Sequence, residues 1–81
     1  MIKIYSTSWC SPCSAAKRML TDLGQIFEEI DIEKEGISRE KLYEMTGGST
    51  VPQIIINGKA IGGFDSLMRL NQDGTLKELL K

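Results

Sequence analysis

The sequence predicts a small α/β domain, a four-stranded mixed sheet with helices on its faces, in the order β-α-β-α-β-β-α-α. Three observations carry that expectation. The alternating run Ile2-Lys3-Ile4-Tyr5 reads as a strand, and Ala16, Met19, Leu20 and Leu23 then recur at helical spacing. A second apolar run, from Ile26 to Asp31, allows strand, crossover helix and strand to form a right-handed unit with parallel strands. Further on, Asn57-Gly58 stands between a β-branched run and Lys59-Ala60-Ile61, the pattern of a tight antiparallel hairpin.

Taken in order, the first helix should stop at Gly24, where a left-handed cap carries no steric penalty for glycine. The second strand draws its apolar content from Ile26, Phe27 and Ile30, with Ile32 just beyond, and Glu33 to Gly36 reads as a loop. Ser38 to Thr46 is expected as a second helix, with Ser38 as N-cap, Leu42 and Met45 facing inward, and Gly47-Gly48 as the stop. Val51 to Ile56 is the third strand. Pro52 has no N–H to give a ladder, so it belongs at a strand start or an edge. Gly62-Gly63 breaks the fourth strand. Phe64 to Asn71 resumes helical spacing through Phe64, Leu67, Met68 and Leu70. Gly74 ends that helix, and Thr75 is expected to cap a last short one with Leu76, Leu79 and Leu80 as its buried stripe.

Composition bounds the function. Eighty-one residues suit one domain, spanning 1–81, near the lower limit of what a single core supports. A 41% hydrophobic and 26% charged chain fits a globular protein, and a net charge of −1 argues against nucleic acid or an anionic membrane as the main partner. No signal-peptide pattern opens the sequence and no run approaches membrane-spanning length, so a cytoplasmic location is expected.

The chemistry is carried by Trp9-Cys10-Ser11-Pro12-Cys13, two thiols placed where the first strand hands over to the first helix. There the unpaired backbone N–H groups and the positive helix end favour an anion. A thiolate at Cys10 is that anion, and the thiolate is the form that attacks disulfides. Cys13, one turn on, can reach back as the resolving thiol. A zinc site needs four ligands, and a chain with two Cys and no His does not supply them. An inert buried pair is the other plain reading, but Trp9, Ser11 and Pro12 do not make a core pattern.

The combination of Cys10-Ser11-Pro12-Cys13, Thr50-Val51-Pro52 and Gly62-Gly63-Phe64-Asp65 resembles the glutaredoxins, and the element order resembles the thioredoxin-like fold they share. The likeness runs from Ile2 to about Leu80. It implies that Cys10 is the nucleophile and Cys13 the resolving thiol, and that the Val51–Pro52 bond is cis. It further implies a glutathione-binding set. The backbone of Val51, between Thr50 and Pro52, would pair with an extended cysteinyl substrate, and the N–H groups of Gly63, Phe64 and Asp65 would receive the γ-glutamyl carboxylate. Trp9 is expected as a partly exposed contact beside the thiols.

Two departures from the family pattern stand out. Many glutaredoxins carry a lysine, paired with the glycine carboxylate of glutathione, where this chain has Thr7. Arg39 is the candidate for that missing cation, with a plain solvated helix residue as the alternative. The second departure is Trp9 and Pro12, which are more reminiscent of thioredoxins. The expectation is therefore a monomeric dithiol oxidoreductase that uses glutathione as reductant and needs no metal. Its substrates would be protein disulfides or glutathionylated proteins. Two rivals remain: a thioredoxin-like reductant recharged by a flavoprotein reductase, and a dimer bridging an iron–sulfur cluster through Cys10 of each chain and two glutathiones.

Overall fold

The computed structural model describes residues 1–80. The predicted order of elements is the observed one: β1 (Ile2–Ser6), α1 (Ser11–Asp22), β2 (Glu28–Asp31), α2 (Arg39–Thr46), β3 (Gln53–Ile56), β4 (Lys59–Gly62), α3 (Phe64–Asp73) and α4 (Thr75–Leu79). The strands lie in the order β2-β1-β3-β4. β1 runs parallel to β2 with Lys3 opposite Glu28, and antiparallel to β3 with Ile4 opposite Ile54. β3 and β4 form the hairpin, turned by Asn57 at φ 49° and Gly58 at φ 84°. Both central residues of that turn are left-handed, as its Asn-Gly sequence requires.

Strand alternation sorts the sheet into two faces. Ile2, Ile4, Ile54 and Ile56 point one way and pack with Ala16 and Leu20 of α1, Leu67 of α3 and Leu76 of α4. Tyr5 points the other way, into a smaller cluster with Ile32 and Leu42 that α2 covers. The larger core fixes α1 against the sheet, and with it the position of Cys10 at the end of the helix.

Some apolar residues lie elsewhere than their spacing predicted. Ile26 is 92% exposed and precedes β2, which starts only at Glu28. The cause is the end of α1: the Gln25 N–H bonds back to Leu20 O at 2.9 Å, so Gln25 and Ile26 are spent in the turn. Leu23 is the C-cap of α1 and is largely exposed. In α2, Met45 faces out and Thr46 faces in. With Leu42 inward, positions 45 and 46 compete for the same face, and Thr46 prevails because its hydroxyl finds backbone partners. Thr46 Oγ1 lies 2.8 Å from Leu42 O and 3.0 Å from Gly48 O, and accepts the Gly48 N–H at 3.2 Å. The third strand begins at Gln53 rather than Val51, since Pro52 breaks the ladder before it. Thr75 opens α4 but does not cap it. Gly74 holds that place, and the Thr75 N–H is taken by the Asp73 carboxylate at 2.8 Å. The Thr75 hydroxyl first, and this N–H second, hold that carboxyl below its usual value.

A polar link ties α1 to both parallel strands. The Lys17 ammonium donates to Glu29 Oε2 at 2.6 Å, and the buried Ser6 hydroxyl donates to the same oxygen at 2.9 Å. Lys17 is the main reason the Glu29 carboxyl sits below the usual carboxylate range.

Candidate functional site

Cys10 is the N-cap of α1, with an extended backbone (φ −95°, ψ 110°), and its Sγ accepts the N–H of Cys13 at 3.1 Å. Pro12 fits the first turn because its missing N–H would have had no helical partner there. No acidic side chain stands in that turn to compete for the helix end. The two sulfurs are joined as a disulfide, with the Cα atoms 5.2 Å apart. Cys10 remains 6% exposed while Cys13 is fully buried, so an incoming disulfide meets Cys10 first.

Opposite the thiols, the cis Val51–Pro52 peptide brings Val51 O to 3.6 Å from Cys10 Sγ. Among the described residues, no backbone carbonyl takes up the Val51 N–H. Beyond it lies α3. Its N-cap, Gly63, has no side chain, and no side-chain oxygen caps the first-turn N–H groups of that helix. Gly62, at φ 107°, makes the approach to the helix. A Cβ there would meet Ser66 Oγ at 2.9 Å besides being strained. Between these walls runs a groove of about 380 Å³, lined by Pro12, Thr50, Val51, Pro52, Gly63, Phe64, Asp65 and Ser66. Small-ligand sites span roughly 300–1,000 Å³, so the groove suits a small peptide.

Thr50, Val51, Pro52, Gly63, Phe64 and Asp65 are thus brought together in one groove beside Cys10. Trp9 and Arg39 are not among its walls. Trp9, next to Cys10 in the chain, is 65% exposed, with its indole N–H shared between the two Glu33 carboxylate oxygens at 3.2 and 3.3 Å. Arg39 lines a separate depression with Glu40, Tyr43, Glu44 and Ser49, and its Nη1 donates to Ser49 O at 3.0 Å. Its observed contact is with the loop leading into the groove. Thr7, at the position where many glutaredoxins carry the lysine, is 3% exposed, and its hydroxyl has no partner among the described residues. A buried hydroxyl without a partner is destabilising. Thr7→Val is therefore expected to raise stability by about 1 kcal/mol, read as a higher melting temperature.

Sequence reasoning missed Gln53 and Gly48, which hold the loop before Val51. A polar side chain inside an otherwise β-branched run was the available signal. Among the described residues, no three His, Cys, Asp or Glu side chains gather at a metal-sized site. No helix is long and apolar enough to cross a membrane.

The sequence model of the glutaredoxin family matches residues 2–61. The chain belongs to the glutaredoxin family. It is 39% identical over 80 residues to glutaredoxin 3 of Escherichia coli K12, covering 99% of this chain and 96% of that protein. It is 40% identical over 82 residues to glutaredoxin-C6 of Oryza sativa subsp. japonica, covering 98% of this chain and 73% of that one. The crystal structure of a buckwheat glutaredoxin–glutathione complex superposes with a TM-score of 0.89 at 34% identity, over 98% of this chain and 74% of that one. The fold is accordingly the thioredoxin-like fold of the glutaredoxins, and Cys10 and Cys13 are the redox pair of a thiol–disulfide oxidoreductase.

Proposed function

We propose that this glutaredoxin draws its electrons from glutathione and reduces glutathione mixed disulfides and protein disulfides in a reducing compartment such as the cytoplasm, acting as a monomer. The observation that carries the reading is the seat of Cys10 Sγ, held by the Cys13 N–H at the N-cap of α1 and 3.6 Å from the carbonyl of Val51, which is a wall of the groove. Glutathione is a short extended peptide with a central cysteine and a carboxylate at each end. The Val51 edge suits its cysteinyl unit by strand addition, and the uncapped start of α3 suits the γ-glutamyl carboxylate. The buckwheat relative solved as a glutathione complex supports the same assignment.

In the monothiol course, the Cys10 thiolate attacks the glutathione sulfur of a mixed disulfide. The S–S bond breaks, the other thiolate leaves and takes up a proton, and glutathione remains bonded to Cys10. A second glutathione thiolate attacks that glutathione sulfur, giving glutathione disulfide and restoring the Cys10 thiolate. With a protein disulfide, Cys10 bonds to one substrate sulfur. Cys13 then attacks Cys10 Sγ, expels the substrate's thiolate and leaves the Cys10–Cys13 disulfide seen here. Two glutathiones reduce that disulfide.

The test is a paired assay on one small glutathione mixed disulfide, with electrons supplied either by glutathione or by a thioredoxin-type flavoprotein reductase. Turnover with glutathione and not with the reductase is expected. Turnover only with the reductase would overturn the assignment.

A further inference from the structure

The segment joining α2 to the groove belongs to neither helix nor strand, yet side chains hold it at successive carbonyls. Gly48 O lies 3.0 Å from Thr46 Oγ1, Ser49 O accepts from Arg39 Nη1 at 3.0 Å, and Thr50 O accepts from Gln53 Nε2 at 2.9 Å. The next carbonyl, Val51 O, is the one that faces Cys10 Sγ. Gln53 is buried, as Thr46 is and the exposed Arg39 is not, but it alone of the three stands on the strand that leads out of the groove. It opens β3 opposite Tyr5 and is 5% exposed, in a strand otherwise made of isoleucine. A primary amide in such a place is costly unless bonded, and its donor end must face Thr50 O because a carbonyl only accepts.

Gly48 gives a second, independent indication. Its backbone is not in the positive-φ region, so conformational freedom does not call for glycine there. Space does: a Cβ at position 48 would stand 2.4 Å from Gln53 Nε2, 2.9 Å from Cδ and 3.0 Å from Oε1. The missing side chain at Gly48 makes the room in which the Gln53 amide sits.

We infer that Gln53 is a positioning residue for the reaction, its amide fixing the Thr50 carbonyl and thereby the course of the Val51 edge beside Cys10. The inference rests on the proposed reading that this edge pairs with the cysteinyl unit of glutathione. A neighbouring bond that sets the path of the edge acts on substrate binding. Its loss leaves in place what favours the charged sulfur, the Cys13 N–H and the end of α1.

The experiment uses the full chain and the mixed disulfide of glutathione with a small thiol. Gln53→Met keeps length and volume but removes the donor, and is expected to raise KM about three- to tenfold, the scale of one lost hydrogen bond. kcat and the Cys10 titration midpoint are expected to stay unchanged. Gly48→Ala, whose methyl displaces the amide, is expected to raise KM alike, and the double variant should be no worse than either single one. A wild-type KM in Gln53→Met overturns the inference, as does a fall of kcat and shift of the Cys10 midpoint together with KM, the mark of a merely structural role. If Gln53→Met does not fold, Gly48→Ala decides alone, and an unchanged KM there overturns the inference. Failure of the wild-type protein to saturate with this disulfide would overturn the glutathione reading itself and the inference with it. That outcome is recognised from the wild-type curve before any variant is compared.

Discussion

Cys10→Ser is expected to abolish reduction of every disulfide, by at least about a thousandfold, while Cys13→Ser keeps turnover of glutathione mixed disulfides within about tenfold of the wild-type rate. The asymmetry follows from position. Cys10 Sγ is the sulfur at the groove, held by the helix-end N–H of Cys13, whereas Cys13 is fully buried one turn behind it. A serine hydroxyl at position 10 has no comparable anionic form at neutral pH, so the first attack is lost for any substrate. Loss of Cys13 removes only the internal resolving thiol, whose advantage is proximity. A second glutathione can replace it when the bond on Cys10 already carries glutathione. Cys13→Ser should therefore fail selectively on protein disulfides. Parallel assays of both variants on a small mixed disulfide and on a protein disulfide check this, and equal loss of both activities in Cys13→Ser would speak against glutathione as the resolving partner.

The second large effect is on stability. Leu20→Ala is expected to cost about 2–5 kcal/mol. That is a large share of the roughly 5–15 kcal/mol that holds a domain together. Leu20 is fully buried on α1 among Ile4, Ile54, Ile56 and Leu67, so the cavity left behind has a rigid lining. In a chain of this size each kcal/mol moves the melting temperature by about 4–8 °C, so a fall of at least about 8 °C is expected in a thermal melt. Ile26→Ala removes a side chain of similar size, but one 92% exposed, and should leave the melting temperature nearly unchanged. Similar losses from the two would contradict the placement of the core.

That contrast also shows what could be read from the chain. Ile2, Ile4, Ala16, Leu20 and the Asn57-Gly58 hairpin were legible because local periodicity and turn chemistry agree with the final packing. Ile26 and Met45 were not. Each carries the right apolar character at a plausible spacing, and each lost its inward place to a backbone hydrogen bond, Gln25 to Leu20 in one case and the Thr46 network in the other. At the site, the sequence pointed to three separated motifs, and the sheet order places the second and third along one groove beside Cys10. The surroundings of Arg39 and Thr7 were not readable, because both depend on the course of the chain after an element ends. Arg39 turns to Ser49 O, and Thr7 is covered although it lies just beyond β1. Gln53 was hidden for a different reason. Its partner is a loop carbonyl, and its space is made by a glycine five residues earlier.

The central claim is that the N-terminus of α1 makes Cys10 a thiolate ready to attack. Its most direct test is the ultraviolet thiolate absorbance of the Cys13→Ser protein followed against pH. The geometry predicts a midpoint clearly below the model thiol value of about 8.5, because the Cys13-position N–H and the helix end favour the charged sulfur. A midpoint at or above that value would contradict the account.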